Sequence, residues 1–121
     1  ISMSGKWYNR TNFKHTHTES TRKTKFGGGS SGGLDDRYDM ILGSYRLDQS
    51  SGLTYMPGSC VVIGNDGIHL NKAINDPGNI IVSLDIADAL YKASDHLPVI
   101  IDLVSMKDAA EEDSRSLGAN D

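Results

Sequence analysis

The stretch that decides the fold lies at residues 94–104 and reads SDHLPVIIDLV. Pro98 has a fixed φ and no backbone donor, so it suits the first residue or the edge of a strand. The sequence therefore predicts a final strand over residues 97–104, with Asp95 and His96 immediately before its first residue. An adjacent carboxylate and imidazole can ligate a metal, orient a water molecule and transfer protons.

The residues just before this stretch repeat at helical spacing. Ile86 and Leu90 are four residues apart, and either Ser83 or Asp85 is suited to cap the N-terminus of a helix. The pattern predicts a helix that ends near Ala93, immediately before the Asp-His pair.

Several regions upstream have the patterns of extended strands. Residues 11–22 alternate and are rich in Thr, and residues 38–47 have an apolar centre with one early carboxylate, Asp39. Two shorter extended segments are expected at residues 53–56 and 59–63. Together with the helix, these segments predict a mixed α/β fold.

A glycine-rich segment lies between the first two predicted strands, with five glycines in residues 27–33. Glycine loses more backbone entropy on ordering than any other residue, so regular structure is excluded here. The segment is either a flexible linker between domains or a loop that joins residues 11–22 to the next strand. The short length of what precedes it favours the loop.

Composition limits the class of protein. A chain of 121 residues has room for one modest domain. Its one cysteine, Cys60, excludes an internal disulfide framework and is expected to be a small buried hydrophobe. No apolar segment approaches the roughly 20 residues that a membrane-spanning helix needs, so no transmembrane segment is expected.

Charge is distributed unevenly along the chain. Residues 1–26 contain six basic residues and one acidic residue, a net charge of +5, which leaves −9 on the remainder of a chain whose total is −4. A basic segment beside an acidic site would suit a phosphate-containing ligand held partly by a metal. A solvated basic arm explains the same composition.

Two places in the sequence carry side chains suited to catalysis. If the strands that hold Asp39 and His96 are neighbours, Asp39 can accept the Nδ1–H of His96 and hold the imidazole in one tautomer. Asp95 would then be free to hold Mg²⁺. The alternative is that Asp95 caps a turn and His96 is a surface residue. His15 and His17, two residues apart on one predicted strand, are a second candidate pair for metal binding.

The same residues carry a resemblance to a known family. The sequence RYDMIL at residues 37–42 resembles the Arg-x-Asp-(apolar)-Ile-Leu strand of the endonuclease/exonuclease/phosphatase family, and SDHLPV at residues 94–99 matches its Ser-Asp-His-x-Pro-Val signature. TESTR at residues 18–22, followed by a Gly-rich stretch and GLDDR at residues 33–37, is similar to some secreted bacterial members. The resemblance covers roughly residues 11–104.

The resemblance implies a role for particular residues. His96 corresponds to the histidine that acts at the scissile phosphate, as general base or as transition-state stabiliser, and Asp39 to the carboxylate that pairs with it. Asp95 corresponds to the acidic residue at the metal and nucleophile end. The remaining candidates, as substrate-binding residues, are Thr18, Arg22 and Arg37. The implied cofactor is Mg²⁺, with Mn²⁺ or Ca²⁺ as alternatives.

The resemblance also implies an architecture. The expected fold is the C-terminal part of a four-layered α/β sandwich with mixed, largely antiparallel sheets, here residues 1–106, followed by a polar acidic tail or linker at residues 107–121. An N-terminal half absent from this chain would supply an Asn, a Glu metal ligand, a Tyr or His, and an Asp-x-Asn pair. We therefore expect the chain to be inactive by itself.

The function implied for the parent protein is water attack on a phosphodiester or phosphomonoester, in a nucleic acid, a lipid headgroup or an inositol phosphate. A secreted bacterial location is expected from the resemblance only. Two alternatives belong to other classes: a non-catalytic binding module that keeps this fold, and a secreted glycan- or surface-binding module in which the Gly-rich segment is a linker.

Overall fold

The computed structural model of the chain describes Tyr8, residues 11–44, Leu47 and residues 52–105. Within these residues the fold is mixed α/β, with one α-helix, a short 3₁₀ helix and two small two-stranded sheets. The elements in chain order are the 3₁₀ helix (Thr11–Thr16), β1 (Leu53–Tyr55), β2 (Val61–Val62), α1 (Leu84–Ala93), β3 (Val99–Ile100) and β4 (Leu103–Ser105).

The chain divides into two compact units. The first consists of Ile1–Met40 and Val61–Val99, and the second of Ile41–Cys60 and Ile100–Asp121. All of the candidate catalytic residues belong to the first unit. The predicted boundary at residue 106 and the predicted tail at residues 107–121 lie outside the described residues.

The first unit has a small apolar core. Leu34, Val62, Ile74 and Leu97 are buried in it. The partly buried hydrophobic side chains of Leu90, Tyr91 and Val99 pack against these four. The core therefore anchors α1 and the residues that follow it, including the segment that carries Asp95 and His96.

Helix α1 confirms the expectation for this part of the sequence. Ser83 is its N-cap and accepts a hydrogen bond from the Ile86 N–H, which satisfies one of the free donors of the first turn. Ala87 faces inward and is fully buried. The helix ends at Ala93, as predicted, and the next residue, Ser94, has an extended backbone conformation. Within the described residues, no helix has both the length and the apolar character to cross a membrane.

The second unit contains an antiparallel pair formed by β1 and β4. Leu53 lies opposite Ser105 and Tyr55 lies opposite Leu103. The Ser59 hydroxyl accepts a hydrogen bond from the Asp102 N–H at 2.9 Å. The prediction of a single final strand over residues 97–104 is wrong. The chain forms two strands here, β3 and β4, separated by residues 101–102. At this break the Asp102 carbonyl accepts a backbone hydrogen bond from the Met56 N–H, at 3.0 Å, while its N–H is bonded to the Ser59 side chain.

The strand predicted over residues 11–22 is also wrong. Residues 11–16 form the 3₁₀ helix, closed by a hydrogen bond from the Thr16 hydroxyl to the Phe13 carbonyl at 2.9 Å. Residues 17–22 are all buried and form no regular strand, only isolated bridges from Glu19 to Asp36 and His96. Backbone hydrogen bonds join this buried segment to residues 33–36 on one side and to residues 95–97 on the other.

The strand predicted over residues 38–47 does not form in its described part, residues 38–44. Residues 45 and 46 lie outside the described residues. The backbone N–H groups of Tyr38 and Asp39 both donate to the Thr18 hydroxyl, at 3.1 Å each, so a side chain occupies the donors that a neighbouring strand would have used. The apolar centre is exposed, with Leu42 at 90%.

Two smaller expectations have different outcomes. Cys60 is exposed, which corrects its interpretation as a buried residue; β2 begins only at Val61, so Cys60 lies outside the strand that carries Val62 into the core. The Gly-rich segment is a loop and not a linker, because the N–H groups of Gly32 and Gly33 both donate to the Arg22 carbonyl and close it. The interpretation favoured from the sequence is confirmed.

Candidate active site

The buried segment 17–22 holds the two halves of the candidate site together. Glu19 exchanges backbone hydrogen bonds with Asp36, at 2.8 and 2.9 Å. On the opposite side, the Thr18 carbonyl accepts from the Leu97 N–H at 2.9 Å, and the Thr21 N–H donates to the Asp95 carbonyl at 3.0 Å. The backbone of this segment therefore fixes where Asp95 and His96 lie relative to residues 35–39.

Asp39 and His96 are in direct contact, as the sequence led us to expect. His96 Nδ1 lies 2.7 Å from Asp39 Oδ2. A carboxylate can only accept in this bond, so the Nδ1 atom carries a hydrogen and the Nε2 atom is left to face other groups. Asp39 is positioned by its own N–H bond to Thr18, and the His96 N–H donates to the Ser94 hydroxyl at 3.0 Å.

This contact shifts the pKa values of both partners. The hydrogen bond that His96 donates to Asp39 raises the pKa of His96 above its usual value; burial opposes the rise, and the charges of Glu19 and Asp95 add to it. Burial by itself would raise the pKa of Asp39, but the hydrogen bonds from His96 and Thr18 outweigh it and hold that pKa below the usual value. Both shifts favour a carboxylate facing an imidazolium.

Glu19 lies on the other side of the imidazole. Its Oε1 atom is 3.7 Å from His96 Nε2, and its side chain is only 10% exposed. At 3.7 Å the two groups are too far apart for a hydrogen bond but form an ion pair when the imidazole is protonated. His96 therefore stands between two carboxylates, with Asp39 bonded at Nδ1 and Glu19 near Nε2.

Asp95 completes a group of three side chains. One ligand atom from each of Glu19, Asp95 and His96 lies within 4.8 Å of the other two, so the three could hold a metal ion. Asp95 Oδ2 accepts a hydrogen bond from the Ser30 N–H at 2.6 Å, and this bond is the main reason that the pKa of Asp95 is lowered.

A cleft of about 390 Å³ opens in front of the imidazole. Its described lining is polar and acidic, without a Lys or Arg side chain, and consists of Glu19, Ser20, Ser30, Ser31, Asp35, Asp36, Tyr38 and His96. Its size suits a small ligand or one group of a larger substrate. The acidic lining suits a cation or a substrate that arrives with a cation.

The Gly-rich loop forms one wall of this cleft. Gly29 has a φ of +89°, and a Cβ atom at this position would lie 2.5 Å from Asp95 Oδ2. Glycine is therefore required both by the backbone conformation and by the close approach to the carboxylate. The Ser20 hydroxyl holds the loop from the other side through the Ser30 carbonyl, at 3.1 Å.

The residues expected to bind substrate have other positions. The Arg22 guanidinium is buried, donates to the carbonyls of Tyr91, Lys92 and Gly28 at 2.8 to 3.3 Å, and lies over the ring of Phe26. It thereby joins the end of α1 to the Gly-rich loop. Thr18 uses its hydroxyl to position residues 38 and 39, as described above.

Arg37 is partly buried, and its Nη2 atom lies 3.4 Å from the Met40 sulfur. Neither arginine is among the described residues that line the cleft, and Thr18 is not among them either. The structure therefore brings Asp39, Asp95 and His96 together, although Asp39 and Asp95 are likewise not among the described residues that line the cleft. Of the three predicted substrate-binding residues, Thr18 is bonded to Asp39 through its hydroxyl.

The predicted pairing of His15 and His17 does not form. His17 is fully buried whereas His15 is exposed, because His15 belongs to the 3₁₀ helix and His17 to the buried segment after it. The sequence alternation predicted one strand with both histidines on the same face, but the 3₁₀ helix ends between them.

Sequence reasoning missed Glu19 and a second Asp-His pair. Glu19 occupies the unspecified position of TESTR, so the motif carried no signal for it. Asp66 and His69 are both buried; His69 Nδ1 lies 2.9 Å from each Asp66 carboxylate oxygen, and His69 Nε2 lies 3.0 Å from the Asp76 carbonyl. The spacing Asp-x-x-His was available in the sequence, but NDG at residues 65–67 indicated only a turn.

The chain matches no protein-family model, no curated protein and no solved structure. Similarity therefore identifies no family, and the resemblance carried by residues 37–42 and 94–99 remains a hypothesis. The geometry around His96 is the ground on which a function can be proposed.

Proposed function

We propose that Asp39 and His96 are the catalytic pair of a metal-dependent phosphoesterase. The observation that carries the proposal is the 2.7 Å contact between Asp39 and His96 Nδ1, with Nε2 presented to a polar cleft. An imidazole held in one tautomer by a carboxylate, with its second nitrogen free for substrate, is the arrangement that acid–base chemistry at a phosphate requires.

The reaction is hydrolysis of a phosphate ester by water. His96 Nε2 acts at the phosphate, either by taking a proton from the attacking water or by donating a hydrogen bond to a phosphate oxygen. Both roles need the ring orientation that Asp39 maintains. Ser30 and Ser31 lie in the cleft wall, where their hydroxyl groups can contact the substrate.

Asp95 is the proposed ligand for Mg²⁺, with Mn²⁺ or Ca²⁺ as alternatives. The donor set fits a divalent cation, because the Asp95 carboxylate supplies the kind of oxygen ligand that such cations take. A bound divalent cation neutralises charge on the phosphoryl group. Asp95 stays oriented toward that position through its bond to the Ser30 N–H.

The architecture is part of the proposal. The described strands and helix would form the C-terminal part of a four-layered α/β sandwich in the endonuclease/exonuclease/phosphatase family. An N-terminal half, carried by a longer parent protein, would complete the metal site and clamp the phosphate. This chain alone would then be inactive, and the parent would be a secreted bacterial protein.

The test is hydrolysis by the full-length protein with Mg²⁺. Bis-p-nitrophenyl phosphate measures the chemistry, whereas plasmid DNA, a phospholipid and an inositol polyphosphate distinguish the substrate classes. We expect turnover that EDTA abolishes and added Mg²⁺ restores. Absence of turnover on all four substrates would refute the proposal.

A second candidate is a non-catalytic module of the same fold that binds a cation. It is favoured by the cleft lining, which has acidic side chains and no Lys or Arg among its described residues. Binding of a divalent cation without hydrolysis by the full-length protein would decide for this candidate.

A further inference from the structure

We infer that Glu19, Asp95 and His96 Nε2 bind a zinc ion, and that zinc thereby inhibits the proposed hydrolysis. The inhibition rests on the proposed function, whereas the binding does not. The inference adds two ligands, Glu19 and His96, to the proposed role of Asp95, and it concerns a cation of a different chemical class.

The first support is the state of Glu19. Its side chain is nine-tenths buried, Glu19 lines the cleft, and the carboxylate forms an ion pair with the His96 imidazole, at 3.7 Å from Nε2. Burial of a carboxylate is costly unless a charge or a hydrogen bond compensates. The imidazole supplies that charge only while it is protonated, and a cation bound between the two side chains would supply it once the proton has left.

The second support is the distance between Glu19 and His96. The 3.7 Å between Oε1 and Nε2 is too long for a hydrogen bond. It is close to the spacing of about 3.4 Å between two ligands that each lie about 2.1 Å from one tetrahedral zinc. A small side-chain movement would bring both atoms to one ion.

The third support is the bond on the far side of the ring. Histidines that bind zinc usually donate their other ring N–H to a carboxylate, which orients the ring and increases its basicity. Asp39 has this relation to His96, with Oδ2 at 2.7 Å from Nδ1. When zinc displaces the Nε2 proton to solvent, the Nε2 lone pair lies near the Glu19 and Asp95 carboxylates, whose ligand atoms are within 4.8 Å of it.

The donor set determines which cation is preferred. Mg²⁺ and Ca²⁺ select oxygen ligands, whereas an imidazole nitrogen favours zinc and its transition-metal neighbours. Two carboxylates and one neutral imidazole also balance the charge of a divalent ion. Zinc held at Nε2 removes this nitrogen from the phosphate, and at Asp95 it displaces Mg²⁺, so hydrolysis stops.

The binding test uses isothermal titration calorimetry on the full chain with ZnCl₂ and, separately, with MgCl₂. We expect one zinc per chain, bound much more tightly than Mg²⁺. Glu19→Gln and Asp95→Asn should each weaken zinc binding by about 100-fold or more, because even loss of an outer hydrogen-bond partner costs about 10–100-fold. Circular dichroism verifies that each variant is folded.

Two matched controls accompany these variants. Asp36→Asn removes a carboxylate from the same cleft, and His15→Gln removes an exposed imidazole; neither should change zinc affinity. The ¹⁵N resonance of His96 Nε2 should shift on addition of zinc. Zinc affinity no greater than that for Mg²⁺, or equal in the wild-type chain and Glu19→Gln, would overturn the inference.

The inhibition test uses the full-length protein. Zinc should reduce Mg²⁺-dependent turnover of bis-p-nitrophenyl phosphate in proportion to occupancy. Glu19→Gln should need more zinc for the same fractional inhibition, measured relative to its own turnover without zinc. Turnover that zinc occupancy leaves unchanged would overturn the inhibitory role. Absence of turnover without zinc would instead count against the proposed function. The zinc-binding claim would still be decided by the calorimetry alone.

Discussion

Replacement of Asp39 by Asn should lower the activity of the full-length protein by a moderate factor. Asn keeps the shape of the side chain but loses its charge, so the hydrogen bond to His96 Nδ1 is no longer charge-assisted. Such bonds contribute about 1.5–3 kcal/mol. Both side chains are more than a third exposed, at 37% and 39%, so solvent screening favours the lower end of that range.

A loss of about 1.5 kcal/mol corresponds to roughly a tenfold decrease in kcat/KM. The assay is steady-state hydrolysis of bis-p-nitrophenyl phosphate, with Asp36→Asn as a control that removes a neighbouring carboxylate. The pKa of His96, followed by NMR, should fall, because the hydrogen bond that it donates to Asp39 is the largest cause of its elevation. Unchanged kcat/KM together with an unchanged pKa would refute the role assigned to Asp39.

Three further predictions concern the groups around the site. His69→Ala breaks a buried pair and leaves the Asp66 carboxylate without its partner, so the free energy of unfolding, measured with urea, should fall by about 3–5 kcal/mol. Burial by itself would raise the pKa of Asp66, but the hydrogen bonds from His69 and the Ile68 N–H outweigh it and lower that pKa. The ionised Asp66 carboxylate therefore stabilises the folded chain above the usual pKa of 3.8, and this stabilisation is lost as the pH falls through the lowered pKa of the folded state. Gly29→Ala should displace the Gly-rich loop from Asp95, because the added Cβ would meet the carboxylate, and faster exchange of the Ser30 amide hydrogen would report it.

Each of these has a contradicting result. His15→Ala is the control for the buried histidine, and equal stability of the two variants would contradict the role of the pair. Asp66→Asn should reduce the dependence of stability on acid pH, and the same acid dependence in this variant would count against the second prediction. A Ser30 amide that stays protected in Gly29→Ala would show that the loop tolerates the methyl group.

The sequence predicts α1 well because its signals are local. Ser83 supplies the cap and the apolar residues share one face, and both act within a few residues of chain. The final strand was harder to predict, because Asp102, between β3 and β4, bonds to residues far away in the sequence, among them Ser59, 43 residues before it. At residues 38–47, where a strand was expected, the N–H groups of Tyr38 and Asp39 likewise bond to a distant residue, through the Thr18 hydroxyl.

The candidate site was predictable where the residue types themselves carried the chemistry. Asp39 and His96 are 57 residues apart, yet their positions at the ends of apolar segments led us to expect the contact. Glu19 was not predictable in this way, because a single Glu within a Thr- and Ser-rich segment is ordinarily solvated. Only the buried course of residues 17–22 between residues 33–36 and 95–97 brings it to the imidazole.

The most direct test of the central claim is the kcat of the His96→Ala variant of the full-length protein on bis-p-nitrophenyl phosphate with Mg²⁺. We predict a decrease of about 10²–10⁴-fold, the usual contribution of a general acid or base, with the melting temperature unchanged. His15→Ala, which removes an exposed histidine from the same unit, should hydrolyse the ester at the wild-type rate. Hydrolysis by His96→Ala at the wild-type rate would contradict the assignment of Asp39 and His96 as a catalytic pair.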